Sequence, residues 1–324
     1  MYTYFIKVYN CSQQIMNDLI SIVIPVYNSE HILPKLIERL KASLPENPGF
    51  EVLLVNDGSS DNSWQVIEEI ALQNSFVRGF NLMRNYGQHN ALLCGIRNAS
   101  GGIIVTMDDD LQHPPEEIHK LIEELHKGYD VVYGIPHQLV HSHWRNFFSV
   151  STKAALAKFL GIKRIRHISA FRAFKTKIRN AFENYNSPNV IIDALLTWGT
   201  DNFGTVEVNE EPRREGRSNY SFFSLVKIAL LILTGFSTIP LRFASVLGFF
   251  FTLFGIGVLV YVLIRSLAEG SIPGFPFLAS IISIFSGVQL FSLGIFGEYL
   301  ARIFDRSMNH PAYVIGEIAS WEQK

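Results

Sequence analysis

Residues 103–112 read IIVTMDDDLQ, an apolar, β-branched run that stops at three consecutive carboxylates, Asp108, Asp109 and Asp110, followed by Leu111 and Gln112. A run of this kind without polar alternation suits a strand covered on both faces. The same punctuation occurs upstream. Ser21 to Val26 (SIVIPV) runs into Tyr27-Asn28-Ser29-Glu30, and Val52 to Asn56 (VLLVN) runs into Asp57-Gly58-Ser59-Ser60-Asp61. Val77 to Leu82 and Val131 to Tyr133 complete the predicted strands; Ile32 to Ser43, Trp64 to Asn74, Asn90 to Asn98 and Glu116 to Lys127 read as the intervening helices. This alternation predicts a doubly wound, Rossmann-like α/β domain over residues 19–212, built on a mostly parallel sheet. Ligands of such sheets sit beyond the carboxyl ends of the strands, so the polar strand ends are where chemistry is expected.

Adjacent carboxylates at the end of an apolar strand repel one another unless a cation neutralises them. A divalent metal is the natural partner, and oxygen donors with an amide nearby select Mg²⁺ or Mn²⁺, which complete their shells with substrate phosphates. A solvated acidic turn leading into Pro114-Pro115-Glu116 is the alternative for an isolated triplet; the neighbouring polar strand ends weigh against it. Asp57 falls too early to cap a helix, so it either fixes its turn or hydrogen-bonds a nucleobase or ribose. The Gly58 loop has neither the phosphate-loop nor the dinucleotide-fingerprint spacing, and Ser60 or Asp61 suits a helix N-cap there.

The chain has 324 residues with 28 basic and 29 acidic groups, a net charge of −1, which argues against a nucleic-acid partner held by bulk electrostatics. Its 48% apolar residues, 18% charged residues and mean hydropathy of +0.17 suit neither an ordinary soluble enzyme nor a many-pass membrane protein. The average hides a division. Residues 228 to 298 carry only Arg242, Arg265, Glu269 and Glu298 as charges. Phe243 to Ile264 are 22 uncharged residues, long enough to cross about 30 Å of hydrocarbon, and a second span is expected over about 277–297, after Pro273 and Pro276. The shorter run before them, closed by Pro240, reads as an interfacial helix within a juxtamembrane segment, 213–242. Arg213, Arg214, Arg217, Lys227 and Arg242 precede the first span, and Arg302 and Arg306 follow the second; this positive-inside bias places both termini in the cytoplasm, with residues 299–324 as a tail. Residues 1–18 read as an N-terminal extension, with no signal-peptide pattern. Two cysteines, Cys11 and Cys94, exclude a disulfide framework or a cysteine-based zinc site. His137, His141 and His143 lie close together, but no helical H-x-x-x-H accompanies them, and solvated loop histidines are the favoured reading. Tyr86 and His89 lie before a helix and suit either a donor contact or a cap and turn.

In order and spacing, IPVYNSE, VNDGSSDNS, RNYGQHNALLCG and MDDDLQHPPEEI resemble the family 2 inverting glycosyltransferases of the GT-A fold. EEPRREGRSNYSF, FSTIPLR and GEYLARIF extend the likeness to the polyprenyl-phosphate glycosyltransferases, the group of undecaprenyl-phosphate glucosyl and formamido-arabinosyl transferases and dolichol-phosphate mannose synthases. The resemblance covers about residues 20 to 315. It implies a GT-A nucleotide-sugar-binding domain followed by an interfacial helix and a two-helix transmembrane hairpin in a bacterial-type inner membrane. It implies that Pro25, Tyr27, Glu30 and Asp57 line the base and ribose, and that Asp108, Asp110 and Gln112 form the metal and diphosphate site, with Asp108, Asp110 and Arg172 as catalytic residues. Asp109 falls where the family has a small residue and is expected to be a bystander or a nearby charge. Arg213, Gly216, Ser218 and Tyr220 match a segment suited to the lipid phosphate. Ser29, Asn219, His310 and the arginine-free stretch after Tyr133 depart from the pattern, so Arg145, Arg172, Arg213 and Arg217 are left to supply the phosphate clamp.

The expected activity is therefore transfer of a sugar from a nucleotide-sugar, a UDP-sugar by the same likeness, to a polyprenyl phosphate such as undecaprenyl phosphate, for cell-envelope glycan modification. A phosphate acceptor is already anionic near pH 7 and needs little help from a general base. A hydroxyl acceptor would need one; the chain lacks the Q-x-x-R-W motif of processive synthases, and Asp193, the one candidate in its segment, reads better as structural. A glycan-hydroxyl transferase and a non-catalytic, membrane-tethered nucleotide-sugar-binding protein are the rival readings. The membrane helices offer surfaces for a homo-oligomer or a flippase partner.

Overall fold

The computed structural model describes residues 19–44, 49–136, 169–211, 239–269 and 274–321. They form two compact units, one holding the sheet and one holding two long helices.

In the sheet unit the elements run β1 (Ile20–Val26), α1 (Leu33–Ser43), β2 (Phe50–Asn56), α2 (Ser63–Gln73), β3 (Val77–Leu82), α3 (Gln88–Asn98), β4 (Ile103–Thr106), α4 (Ile118–His126), β5 (Val131–Pro136), β6 (Arg172–Lys175), α5 (Ile192–Gly199) and β7 (Phe203–Val208). A short 3₁₀ turn, Pro115–Glu117, leads into α4, and another, Thr176–Phe182, follows β6. The eight strands lie in the order β7-β5-β6-β4-β1-β2-β3-β8, with β8 at Ile315–Ser320. β1 pairs in parallel with both β2 and β4, β2 with β3, and β5 with β7; β6 enters antiparallel between β4 and β5.

The apolar strand runs are explained by this covering. Ile22, Ile24 and Val26 of β1 pack with Leu33, Leu36 and Leu40 of α1 and Leu121 and Leu125 of α4 on one face. Val23 of the same strand, with Leu53 and Val55, packs with Leu92, Leu93 and Ile96 of α3 and Leu195 of α5 on the other. Helix α3 lies so close to the sheet that a Cβ at Gly95 would meet Val23 Cγ1 at 2.3 Å.

One boundary departs from expectation. Residues 299–324 are not a free tail: up to Ser307 they continue a helix, and Ile315–Ser320 pair antiparallel with β3, Arg78 opposite Ser320 and Phe80 opposite Ile318. Ala319 joins the core, and β8 covers a sheet edge that would otherwise present unpaired backbone groups.

The second unit holds α6 (Ile239–Glu269) and α7 (Phe275–Ser307), which contain the expected spans 243–264 and 277–297. Both are long and apolar enough to cross a membrane, with windows at Pro240–Val258 and Ile284–Phe304 of mean hydropathy 1.8 and 1.3. Phe251 and Phe285 meet edge to face at 6.1 Å, and Gly255 gives Phe285 room. Phe249, Phe250, Leu290 and Leu293 are more than half exposed, which in a helix of this length suits lipid as the surrounding solvent. The N-terminal extension and nearly all of the expected interfacial segment lie outside the described residues.

Candidate active site

Because β4, β1 and β2 are neighbours, their carboxyl ends bring Asp108–Gln112, Tyr27–Glu30 and Asp57–Asp61 side by side. The loops are knitted together. Asn28, at φ +55°, donates its N–H to Ser59 Oγ (3.0 Å) and accepts from Ser60 N at its Oδ1 (2.8 Å). Glu30 N–H donates to Asp61 Oδ2 (3.2 Å), while Glu30 Oε2 accepts from Asn62 N (2.9 Å) at the start of α2. Asp109 Oδ2 accepts from Ser29 Oγ (2.5 Å) and Tyr27 N (3.3 Å), tying the β4 loop to the β1 loop. Gly58 sits at φ +64°, and a Cβ there would lie 2.5 Å from Asn85 N, so this turn and the Arg84–Gly87 stretch can approach only through a glycine.

Asp57 fixes its turn. It is buried, its Oδ1 accepts from Tyr86 N (2.7 Å) and its Oδ2 from Gly87 N (2.9 Å). Burial raises its pKa and the two backbone bonds oppose the rise. Both oxygens serve the chain that opens α3, whose first residue, Gln88, then donates from Nε2 to Asp108 Oδ1 at 2.7 Å. Gln88 was not singled out from the sequence; an amide at a helix start gives no signal of the carboxylate it will meet.

Burial, and after it the Asp110 charge, raises the Asp108 pKa; His113, Arg172 and the Gln88 bond pull it down. Asp109 is pushed up to about 6, chiefly by burial. Asp110 Oδ1 accepts from Gln112 N (3.1 Å) across a turn in which Leu111 adopts φ +59°. Carboxylates whose neighbours resist their ionisation are a donor set that a cation would relieve. Among the described residues no group of three or more His, Cys, Asp and Glu side chains is arranged to hold a metal. Asp108, Asp110 and the Gln112 amide are the oxygen donors at this strand end, a hard-donor chemistry of the kind that Mg²⁺ and Mn²⁺ accept together with substrate oxygens.

Residues 21–184, about half of the chain, match the sequence model of glycosyl transferase family 2. The chain belongs to glycosyl transferase family 2. It is 35% identical over 307 residues to an undecaprenyl-phosphate 4-deoxy-4-formamido-L-arabinose transferase of Shewanella sediminis, covering 93% of this chain and 92% of that one. A protein of the same name from Proteus mirabilis is 34% identical over 304 residues, covering 92% and 93%. A crystal structure of glucosyl-3-phosphoglycerate synthase from Mycobacterium tuberculosis, in complex with Mn²⁺ and UDP-glucose, superposes with a TM-score of 0.49 at 18% identity, covering 69% of this chain and 80% of that one.

The remaining expected site residues of this family 2 transferase fall into three groups. Tyr27, half exposed, lies at the mouth of the strand ends, and Glu30 beside it is partly buried and bound to α2. Pro25 is buried within β1, opposite Val55 of β2. Arg172 is corrected most. It is 2% exposed, its Nη1 is paired with Asp193 Oδ1, and its Nε donates to Thr106 Oγ1 at 3.0 Å. Tyr133 OH donates to the same Asp193 oxygen at 2.8 Å. Arg172 is thus a buried strut behind Asp108, acting on it through space, and not a free phosphate clamp; Asp193 is its structural partner and not a base. His89 Nδ1 accepts from Ile192 N (3.4 Å) at the start of α5, and burial lowers its pKa, so the neutral ring acts as a cap. Arg145, Arg213, Arg217 and Ser218, and His137, His141 and His143, lie outside the described residues.

Proposed function

We propose that this family 2 enzyme transfers a sugar from a UDP-sugar to undecaprenyl phosphate at the cytoplasmic face of the membrane, with inversion at the anomeric carbon. The observation that carries this reading is the Asp108/Asp110 pair at the end of β4 in a chain that also holds two membrane-length helices. Two relatives at 34–35% identity over nearly their whole length are named as undecaprenyl-phosphate 4-deoxy-4-formamido-L-arabinose transferases, which supports both the acceptor and a 4-deoxy-4-formamido-L-arabinose donor.

In this mechanism Asp108, Asp110 and Gln112 would hold Mg²⁺ or Mn²⁺, which supplies Lewis acidity for the departing nucleoside diphosphate. Gln88 fixes Asp108, and Asp57 fixes the loop that carries Gln88. Tyr27 and Glu30 line the nucleotide side. The acceptor phosphate is already ionised near neutral pH, so the lack of an accessible base at Asp193 is no obstacle. Catalysis is then positioning and charge neutralisation more than proton transfer. Arg213, Arg217, Ser218 and Arg145 are the proposed contacts of the lipid phosphate. Metal-dependent formation of an organic-extractable, acid-labile sugar lipid from undecaprenyl phosphate and a panel of UDP-, GDP- and dTDP-sugars tests the proposal; transfer only to water or to a glycan hydroxyl would refute it.

A further inference from the structure

Four successive backbone N–H groups of the loop after β1 are each taken by a side chain. Asn28 N donates to Ser59 Oγ (3.0 Å), Ser29 N to Ser63 Oγ (2.9 Å) and Glu30 N to Asp61 Oδ2 (3.2 Å), all on the stretch that leads from β2 into α2. Of the four, Tyr27 N turns the other way, to Asp109 Oδ2 (3.3 Å) on the acidic loop after β4. The same oxygen accepts from Ser29 Oγ at 2.5 Å. That hydroxyl also lies 3.2 Å from the Tyr27 carbonyl, but it has one proton, and the shorter contact to a carboxylate takes it.

One oxygen of Asp109 thus holds two residues of the β1 loop, while its own backbone joins Asp108 to Asp110. A displacement of the acidic loop is passed to Tyr27 and Ser29 through this one side chain. Ser29 is buried, so a hydroxyl that lost its acceptor would find little water in exchange. The Tyr27 ring is half exposed, and the backbone beneath it is what Asp109 holds. Both Ser29 and Asp109 depart from the pattern of the transferases that the chain resembles, and the structure bonds the two departures to each other.

We propose that Asp109 is a positioning residue for the nucleotide. It sets Tyr27 and Ser29 against the acidic pair, so that the base end and the diphosphate end of the donor are received at a fixed separation. This role rests on the reading that Tyr27 and Glu30 line the nucleotide side and that Asp108 and Asp110 face the diphosphate. Asp109 itself touches neither donor nor cation. What counts at residue 109 is then an oxygen that accepts from Tyr27 and Ser29, and not a negative charge.

The test uses the full-length protein in detergent, with UDP, GDP and dTDP as probes in the presence of Mn²⁺, and with the Mn²⁺ affinity of the nucleotide-free protein measured separately, both by calorimetry. Asp109→Ala removes both bonds and should weaken affinity for the nucleotide that the parent binds best about tenfold. Asp109→Asn keeps an oxygen where both donors point and should stay within about twofold of the parent. Both variants lack the charge, so the gap between them reads the bonds, and their Mn²⁺ affinities should be equal. Ser29→Ala should cost about fivefold in nucleotide affinity, and adding it to Asp109→Ala should cost nothing more, because partners in one contact do not add. If Asp109→Ala fails to fold, Ser29→Ala carries the test, and unchanged affinity there overturns the role. Equal nucleotide affinity in the Ala and Asn variants, or additive losses, would also overturn it. A loss of Mn²⁺ affinity in both variants as large as that of Asp110→Asn would make Asp109 a cation ligand and overturn it as well. A parent protein that binds none of the three nucleotides would overturn the nucleotide reading itself, whereas a binding parent with indifferent variants would overturn the role of Asp109 alone.

Discussion

Replacing Arg172 by Met removes one half of an ion pair that solvent barely reaches: Arg172 is 2% and Asp193 6% exposed. The Asp193 carboxylate is then left with the Tyr133 hydroxyl at 2.8 Å and the first turn of α5 around it. Stranding one member of a buried pair costs about 3–5 kcal/mol. The surviving Tyr133 bond and the helix start both favour the carboxylate, which puts the expected loss near the lower end, about 3 kcal/mol. For a domain of this size that is a fall of about 6–12 °C in the unfolding midpoint. The companion variant Arg172→Met with Asp193→Leu removes both charges and should recover most of the loss, because apolar groups of similar volume replace a buried pair at little cost. Tryptophan fluorescence during heating of the purified protein in detergent reads the midpoint, since Trp64 is buried against the sheet. The strut reasoning fails if the single variant melts with the parent, or if the double variant melts as low as the single one. A single variant of unchanged midpoint that has lost transfer would return Arg172 to the role of phosphate ligand.

Further outcomes follow from the strand ends. Asp110→Asn should abolish transfer and weaken Mn²⁺ binding, seen by calorimetry, with the unfolding midpoint unchanged or raised. Gly58→Ala forces a Cβ to within 2.5 Å of Asn85 N at φ +64°, so it should cost more than about 1 kcal/mol and lower the midpoint measurably. Asp109 binds its proton more tightly in the folded state, with a pKa raised to about 6 from 3.8. Its stabilising contribution is therefore complete below about pH 4 and lost as pH rises through 6, by at most about 3 kcal/mol in metal-free protein. Asp109→Asn should remove that part of the pH dependence, read as the difference between the two melting curves from pH 4 to 7.

The doubly wound order was legible because strands buried on both faces read as continuous apolar runs, and their polar ends marked the three loops that meet. What escaped the sequence depended on distant partners. β6 is only four residues long and enters antiparallel, so RAFK offers no period to count. β8 lies far along the chain from β3, its partner, and its IGEIAS sequence alternates too weakly to announce a strand. Arg172 has the chemistry of a phosphate ligand in any sequence; only the closure of Thr106, Tyr133 and Asp193 around it decides otherwise. Asp57 likewise accepts from backbone groups 29 and 30 residues away, a pairing that no local pattern encodes.

The return of the chain from the long helices to pair with β3 has a consequence for biogenesis. The last strand of the catalytic sheet is translated only after both apolar helices have been synthesised. Until then β3 has an open edge, Phe80 and Gly79 lack their partners, and a nascent chain stalled before its hairpin carries an incomplete domain. Completion of the catalytic sheet is thereby made to wait for synthesis of the membrane anchor, so truncated chains that never reach a bilayer are also chains whose catalytic sheet is unfinished.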